Sequence, residues 1–355
     1  MKKNRYHFSI LLLVPLIVTF FLKSSYATEL TIYIWEDYIS DKVIDNFTKE
    51  TGITIKQVHF DSDQTRDEVF ASTSGKKFDL VIFDAVSGMI FGKNNLLIGI
   101  SESMVPNIAN IDKRWKESCG NFGVPYFYGT VGILYDITQN ASPPNSWADL
   151  LSPSKEHQGH VGMIKDMTDT LIPPLLYLGY NLNSEKEDEL KKAYQLLRQQ
   201  APYVASYDYV LTAVQEKGDR KQTIHLALGF SGDQYTLNDL TGTDNWSYVI
   251  PQEGTALWVD CISIPRQSTN QKSALAFLNY LSTPQVAADN TEDIYSPTTI
   301  SAARKLLSNE TANDTDLFPE EEELSNAQMY RILSDSNLQL RRRNLNTLVK
   351  QHDAQ

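Results

Sequence analysis

The sequence predicts an α/β protein built from two lobes, and three observations lead to this prediction. Short runs with the alternation of β-strands take turns with amphipathic helical runs along most of the chain. One run, FDLVIFD at 78–84, is almost continuously apolar, as is typical of a parallel sheet covered on both faces. Removing segment 1–27 would leave 28–355, a chain long enough for two domains of ordinary size.

Segment 1–27 has the pattern of a cleaved secretory signal peptide. The basic start MKKNR precedes an apolar run over 10–22, and Ser25 and Ala27 form a small-x-small cleavage site. A permanent anchor is the alternative, but a membrane-spanning helix needs roughly 17 to 25 apolar residues. No later segment is long and apolar enough to span a bilayer. We therefore expect an exported, periplasmic protein with no membrane span in the mature chain.

The charge of the chain favours a cationic ligand. The full sequence carries a net charge of −12, and segment 1–27 contains Lys2, Lys3, Arg5 and Lys23 but no acid, so the mature chain would carry −12 − 4 = −16. This surplus disfavours nucleic acids and anionic membranes as partners. Solubility alone would also account for an acidic exported protein.

The first elements follow one another from residue 29. ELTIYIW predicts a strand, and DKVIDNFTKETG predicts a helix with Val43 and Phe47 on its apolar face and Gly52 at its end. ITIKQVHF predicts the next strand, DQTRDEVFASTSG the next helix, and FDLVIFD the third strand. This order predicts right-handed crossovers and a parallel sheet, and ligands bind beyond the carboxyl ends of such strands.

The second region begins with a predicted strand in 123–136, which Pro125 and Gly129 interrupt. A short helix from Ser146 and a surface helix over 184–202 follow. The remaining predicted elements are the strands TIHLALGF, WSYVIPQEG and ALWVDCISIP, the helix SALAFLNYLST and a final basic helix. We interpret the acidic run 320–323 and the basic run 341–343 as solvated helix faces.

Aromatic and acidic residues recur where the predicted strands end. The positions are Trp35, Asp37 and Tyr38; Asp84; Asp166 and Asp169; Trp258 and Asp260; and, more weakly, Phe230 and Asp233. Carboxylates accept charge-assisted hydrogen bonds from ammonium groups, and aromatic faces attract cations by about 0.5 to 2 kcal/mol. Any one of these aromatic residues is more simply a core residue. Their recurrence predicts a site for a linear polyammonium ligand.

Other kinds of site have weaker support. No H-E-x-x-H, G-x-S-x-G or phosphate-binding glycine loop occurs, so we expect no enzyme and no cofactor. His157 and His160 could contact a metal, but no third ligand lies near them in the sequence, and we expect no metal. Tyr207 and Tyr209 are similar to the tyrosines of ferric-ion binders, although alternation along a strand explains them equally well.

The chain contains two cysteines, Cys119 and Cys261. A pair in an oxidising compartment can form a disulfide, but only if the two Cα atoms come close enough. The sequence leaves a disulfide and two buried thiols equally open.

Several segments resemble the periplasmic spermidine/putrescine-binding proteins of bacterial ABC importers, over nearly all of the mature chain. The specific segments are LWVDCISIP and SAARKLLS; IYIWEDYI, VPYFYGTVGI and TANDTDLFPEEEEL also match, and FTKETGI is shared more widely among solute-binding proteins. The resemblance implies a two-lobed periplasmic solute-binding protein fold with a ligand cleft between the lobes. We expect lobe 1 to comprise 28–128 plus 254–300, and lobe 2 to comprise 129–253 plus 301–355.

The resemblance also implies a ligand site with residues from both lobes. The matching positions are Trp35 and Tyr38 on the first strand, the acid pair Asp166 and Asp169, the stacking ring Trp258, the acid Asp260, and Tyr295. Five positions depart from the family pattern: Glu36 replaces a threonine, Asp84 a serine, Val86 a tyrosine, Phe230 a tryptophan and Tyr330 a glutamine. The predicted ligand-binding residues are Trp35, Glu36, Tyr38, Asp84, Asp166, Asp169, Phe230, Trp258, Asp260, Tyr295 and Tyr330.

The resulting expectation is a monomeric periplasmic polyamine-binding protein that captures spermidine, norspermidine or putrescine. Its partner would be an inner-membrane ABC permease for polyamine uptake. A related group of proteins supplies the alternative, a polyamine sensor that signals to a membrane-bound cyclic di-GMP receptor in biofilm control. The substitutions at the site leave open which polyamine is preferred.

Overall fold

The structure is a computed structural model that describes residues 28–60, 62–72, 75, 77–215 and 223–354. The predicted signal peptide, 1–27, lies outside these residues. Among the helices of the described residues, none has the length and apolar character to cross a membrane.

The predicted strands and helices occur in the predicted order, and the structure contains further short elements between them. The strands are β1 (Glu29–Trp35), β2 (Thr54–Phe60), β3 (Leu80–Asp84), β4 (Val124–Asp136), β5 (Val161–Gly162), β6 (Val204–Ser206), β7 (Leu226–Phe230), β8 (Trp246–Val249), β9 (Ala256–Ser263) and β10 (Gln328–Met329). The helices are α1 (Asp41–Thr51), α2 (Asp63–Ala71), α3 (Ala85–Lys93), α4 (Ala148–Leu151), α5 (Ile172–Tyr177), α6 (Glu187–Gln200), α7 (Val210–Gln215), α8 (Asp233–Thr241), α9 (Gln271–Leu281), α10 (Pro284–Ile294), α11 (Ser301–Arg304), α12 (Asn309–Ala312) and α13 (Asp335–Asp353).

The strands β1, β2 and β3 form the predicted parallel sheet. β1 lies between β2 and β3 and pairs in parallel with both, which confirms the prediction for these three strands. β9 returns antiparallel beside β3 and also pairs antiparallel with β4, so the complete sheet is mixed. The carboxyl ends of β1 and β3 therefore lie at the same edge.

β4 joins the two lobes because its two halves belong to different parts of the sheet. Its first half, from Val124 to Thr130, pairs with β9. Its second half, from Val131, pairs with β7 on one side and with β8 on the other. β5 then pairs in parallel with β7 and β6.

Separate hydrophobic cores accompany the two halves of β4. The first core includes Ile32, Phe47 and Phe277, and the second includes Leu175 and Leu228. Trp258 packs against both cores. Ala303 lies in the first core, although the predicted boundary at residue 300 assigns it to lobe 2.

Helix α1 shows how local sequence sets these elements. Val43 and Phe47 are buried on one face, and Asp41 in the first turn and Lys49 in the last turn complement the helix dipole. Gly52 ends the helix with φ 72°, a left-handed conformation that glycine adopts without steric cost, and its N–H donates to the Thr48 carbonyl.

The prediction of a solvated basic face is wrong for Arg341. Its side chain is fully buried, whereas Arg342 and Arg343 are exposed. The Arg341 Nε donates to Asn337 Oδ1 at 2.8 Å, and Nη2 donates to the carbonyl of Ser184 at 2.9 Å. These hydrogen bonds explain the burial, because they attach α13 to the loop that precedes α6.

Cys119 and Cys261 form a disulfide, with their Cα atoms 5.8 Å apart. Of the two states that the sequence leaves open, a disulfide or two buried thiols, the structure contains the disulfide. Cys261 follows Asp260 on β9, so the bond ties the loop before β4 to the strand that carries a predicted site residue.

Candidate functional site

Strand β9 presents Trp258 and Asp260 on one face. Both side chains are partly exposed, whereas the alternate residues Val259 and Cys261 are buried in the opposite direction. The Tyr38 hydroxyl donates to Asp260 Oδ2 at 2.7 Å and joins the end of β1 to β9. Burial raises the pKa of Asp260 to about 7, against the lowering effect of the Tyr38 hydrogen bond. Without a ligand, this carboxyl is therefore partly protonated near neutral pH.

A glycine opposite Trp258 makes room for the indole ring. Gly129 on β4 is the Cα partner of Trp258 on β9. A Cβ atom on Gly129 would lie 2.4 Å from the indole Cζ2 and 2.6 Å from Ser231 Oγ. Phe230 at the end of β7 meets the Trp258 ring edge to face, with centroids 6.4 Å apart. Rings from the two lobes thus meet where β4 crosses.

Asp166 and Asp169 lie in the turn that leads to α5. Asp166 Oδ1 accepts from the backbone N–H of Thr168 at 2.6 Å and of Asp169 at 2.8 Å, which fixes the turn. The Tyr330 hydroxyl donates to Asp169 Oδ1 at 2.7 Å. Burial, and then the neighbouring Asp166, raise the pKa of Asp169 well above its ordinary value.

Acids from the two halves of the sheet lie close enough together to interact electrostatically. Asp63 and Asp84 of lobe 1 are close enough to Asp169 of lobe 2 to raise its pKa. In return, Asp166 acts on Asp63, whose pKa is raised to about 8 chiefly by burial. Asp166 is therefore close to Asp63, although the two residues belong to different parts of the sheet.

Asp84 belongs to this group of acids, but protein partners occupy both of its carboxylate oxygens. Its Oδ1 accepts from the backbone N–H of Val86 and of Ser87, both at 2.9 Å, and so caps helix α3. Its Oδ2 accepts from Arg66 Nη2, also at 2.9 Å. Burial alone would raise the pKa of Asp84, but Arg66 and the Ser87 N–H outweigh it and lower the pKa.

Three further predicted residues are partly or fully exposed. The Trp35 ring packs on Phe60, with centroids 4.4 Å apart. Glu36 is exposed in the turn after β1. Tyr295 is 38% exposed and packs on Tyr235 of α8, with centroids 5.0 Å apart. Asp37 is also exposed and has φ 51°.

Sequence reasoning missed Asp63, Arg66 and Tyr126 at the site, as well as the role of Gly129. The acids at 63 and 67 on either side of Arg66 are a local signal for ion pairing on a helix. The contact between Arg66 and Asp84 spans 18 positions and has no such signal. The Tyr126 hydroxyl, which donates to the Tyr38 carbonyl at 2.9 Å, likewise depends on the meeting of β4 with the end of β1.

The structure gives little support to the two alternative sites, a metal site at the histidines and a ferric-ion site at the tyrosines. His225 lies near His157 and His160. Its ring stacks on the ring of His160, with centroids 3.9 Å apart, and His160 Nδ1 forms a hydrogen bond with the Thr223 carbonyl oxygen. Within the described ranges, no group of three or more His, Cys, Asp or Glu residues could hold a metal ion. Tyr207 packs in the second core, whereas the Tyr209 hydroxyl donates to Asp233 Oδ1 at 2.5 Å.

The chemistry of the cleft suits a cation with an apolar backbone. Asp166, Asp169 and Asp260 each use one carboxylate oxygen in the hydrogen bonds above, and their second oxygens have no partner in the part of the chain that the structure describes. An ammonium group beside such an oxygen favours the ionised carboxylate and lowers its raised pKa. Trp258, on the same face of β9 as Asp260, and Phe230, which it contacts, offer apolar ring surface.

Comparisons with known proteins identify the family of this chain. Residues 42–319 match the family model described as bacterial extracellular solute-binding protein. A norspermidine sensor from Vibrio cholerae is 35% identical over 328 residues, which cover 92% of this chain and 90% of the relative. A putrescine-binding periplasmic protein from Pseudomonas aeruginosa is 30% identical over 317 residues, covering 82% and 84%.

A solved structure has the same overall fold. The crystal structure of a spermidine/putrescine ABC transporter substrate-binding protein from Streptococcus pneumoniae superposes with a TM-score of 0.77 at 26% identity, covering 92% of this chain and 100% of the other. The predicted two-lobed solute-binding fold is thereby confirmed. The chain belongs to the bacterial extracellular solute-binding protein family.

Proposed function

We propose that this protein binds a linear polyamine in the cleft between its lobes and acts in the periplasm as a binding protein, not as an enzyme. One observation carries the proposal: Asp260, Asp166 and Asp169 each keep one carboxylate oxygen without a partner among the described residues, and all three interact electrostatically with the same neighbour, Asp63. The relatives are named for norspermidine, spermidine and putrescine, which are all ligands of this kind.

In this proposal, the charged ends of the ligand determine its orientation. One terminal ammonium pairs with Asp166 and Asp169, and a second ammonium pairs with Asp260. The methylene chain lies against Trp258 and Phe230. The remaining predicted residues, Trp35, Glu36, Tyr38, Tyr295 and Tyr330, act at the rim or by orienting the acids. Closure of the lobes strengthens each charge pair because it excludes water and lowers the local dielectric.

Delivery of the ligand to an inner-membrane ABC permease is the first candidate for the biological output. The name of the pneumococcal structure, a transporter substrate-binding protein, supports it. Signalling to a membrane-bound sensory receptor is the second candidate. The higher identity to a norspermidine sensor, 35% against 30% for the putrescine-binding relative, favours the second. Uptake of radiolabelled spermidine by a deletion strain separates the two, because only removal of a transport component would abolish uptake.

Calorimetric titration with spermidine, norspermidine and putrescine tests binding, with Asp260→Asn as the central variant. Truncating a buried charge pair costs roughly 2 to 5 kcal/mol, so we expect affinity to fall by tens-fold or more. Asp188→Asn is the matched control, because Asp188 is exposed on α6 and the charge change is the same. Equal affinities of Asp260→Asn and Asp188→Asn would remove Asp260 from the site, and absence of binding by the unmodified protein would overturn the proposed function.

A further inference from the structure

Asn290 is a buried polar residue of helix α10 that contacts the turn after β1. It is 1% exposed. Its Oδ1 accepts from the backbone N–H of Ser40 at 2.8 Å, and its Nδ2 donates to the Tyr126 hydroxyl. The amide of one side chain therefore joins α10 both to the turn that carries Tyr38 and to strand β4.

A chain of hydrogen bonds continues from Asn290 to the ligand site. The Tyr126 hydroxyl donates to the Tyr38 carbonyl at 2.9 Å, and the Tyr38 hydroxyl donates to Asp260 Oδ2 at 2.7 Å. The Tyr38 ring also meets the ring of Phe127 edge to face, with centroids 5.3 Å apart. The backbone of Tyr38 is thus held by β4, and its hydroxyl is held by β9.

The chemistry of the partners determines the direction of each hydrogen bond in this chain. A backbone N–H can only donate, so the atom of Asn290 that faces Ser40 is the oxygen, and the NH2 group faces Tyr126. A backbone carbonyl can only accept, so the Tyr126 hydroxyl gives its proton to Tyr38 and accepts from Asn290. Leucine at position 290 would satisfy neither neighbour, and aspartate would offer Tyr126 an acceptor instead of a donor. Among residues of this shape, asparagine is therefore the one that satisfies both.

The turn over 36–40 needs such support because part of its backbone is in an unfavourable conformation. Asp37 is exposed and has φ 51°, in the left-handed region that residues other than glycine seldom adopt. Tyr126 and Asn290 form hydrogen bonds with the backbone of the turn at positions 38 and 40. They thereby hold the residues that follow the unfavourable position.

We propose that Asn290 and Tyr126 are positioning residues of the ligand site, which hold the turn after β1 in the place that the Tyr38 hydroxyl needs. The inference rests on the proposed function. Neither residue contacts the ligand. They act through Tyr38, whose hydrogen bond orients the Asp260 carboxylate and leaves its second oxygen for an ammonium group.

The pKa of Asp260 distinguishes positioning from a purely structural role. Burial raises this pKa, and the hydrogen bond from Tyr38 lowers it. The charged groups that act on the same carboxyl are Asp84, its partner on β3, and Arg66. Displacement of the Tyr38 hydroxyl should therefore raise the pKa of Asp260 further above its ordinary value, whereas a change in stability alone would leave it unchanged.

Tyr126→Phe in the full mature protein is the central variant, because it removes the hydroxyl and keeps the ring. Tyr280→Phe is the matched control, since the Tyr280 hydroxyl donates to the carbonyl of Val43 at 3.3 Å in the same lobe. In calorimetric titrations we expect Tyr126→Phe to bind spermidine about threefold or more weakly, the effect of one lost hydrogen bond. In carbon NMR of the ligand-free protein, the pKa of Asp260 should be higher by about 0.5 or more. The control should match the unmodified protein in both measurements.

Asn290→Leu breaks the same chain from its other end and should change affinity and pKa in the same directions. Asn279→Leu is its control, because Asn279 Oδ1 accepts from the backbone N–H of Asn107 at 2.8 Å, in a segment without a predicted ligand residue. The double variant Tyr126→Phe/Asn290→Leu should lose less affinity than the two single losses combined, since both residues act through one chain of hydrogen bonds.

The outcomes separate this inference from the proposed function. If the unmodified protein binds no polyamine, the proposed function fails, whereas the titration of Asp260 without ligand still measures whether Tyr126 positions this carboxyl through Tyr38. If the unmodified protein binds spermidine, an affinity or an Asp260 titration of Tyr126→Phe equal to that of Tyr280→Phe overturns the inference. Should Asn290→Leu not fold, Tyr126→Phe decides alone.

Discussion

Polyamine binding should release protons, because the cleft without ligand holds carboxyls whose pKa values are raised. The pKa of Asp260 is about 7 in this state. A bound ammonium favours the ionised carboxylate, so the ligand binds the deprotonated form and lowers this pKa. Affinity must therefore fall as the pH drops through about 7. Between pH 8 and pH 6 the protonated fraction rises from about 0.1 to about 0.9, and Asp260 alone reduces the affinity about tenfold.

Asp169 acts in the same direction, because burial and Asp166 raise its pKa as well. The affinity of the whole site should therefore change by more than tenfold. The ammonium groups of the ligand remain charged over this range, since amines of the lysine type titrate near about 10.4.

Calorimetric titration in two buffers with different ionisation enthalpies measures the protons released. At pH 7, Asp260 should contribute about half a proton per ligand bound. Asp260→Asn should lose this contribution, and the control Asp188→Asn should retain it. An affinity that is constant from pH 6 to pH 8, with no dependence on the buffer, would refute the reasoning that couples burial of the acids to ligand capture.

Two further predictions concern the framework of the site. Gly129→Ala should displace the Trp258 ring, because the added Cβ atom would lie 2.4 Å from it. We expect this variant to bind spermidine more weakly in a calorimetric titration. Gly99→Ala is the control, since the atom nearest to its added Cβ would be 3.9 Å away. Equal binding by the two variants would show that the ring position is unimportant. Replacing Cys119 and Cys261 by serine should lower the free energy of unfolding in urea by about 2 to 4 kcal/mol, because the bond closes a long loop. An unchanged unfolding midpoint would contradict this estimate.

Local patterns in the sequence predict much of the fold. The strands β1, β2 and β3 form where alternating or continuously apolar runs occur, and α1 ends at Gly52, as expected from its left-handed conformation. Trp35 and Asp84 end the parallel strands β1 and β3, as the sequence predicts. The same prediction is wrong for Trp258 and Asp260, which lie inside β9, a strand antiparallel to β3. The confirmed features depend on neighbours along the chain, which the sequence displays directly.

Long-range partners decide what each acid at the site can do. Asp84 and Asp260 look alike in the sequence, because each lies at or near the end of a predicted apolar strand. In the structure, Asp84 accepts hydrogen bonds from Arg66 and from the start of α3. Asp260 accepts one hydrogen bond, from the Tyr38 hydroxyl. The difference arises because α2 packs beside β3 and brings Arg66 to Asp84.

The sequence alone determines the α/β class, the order of the main elements and the residue types available for a cationic ligand. It does not determine three contacts: the bond between Cys119 and Cys261, the burial of Arg341 and the pairing of Arg66 with Asp84. The first group depends on backbone conformation and on periodicity over a few residues. The second depends on which side chains meet after the chain has folded, because hydrogen bonds, ion pairs and disulfides form only at short distance.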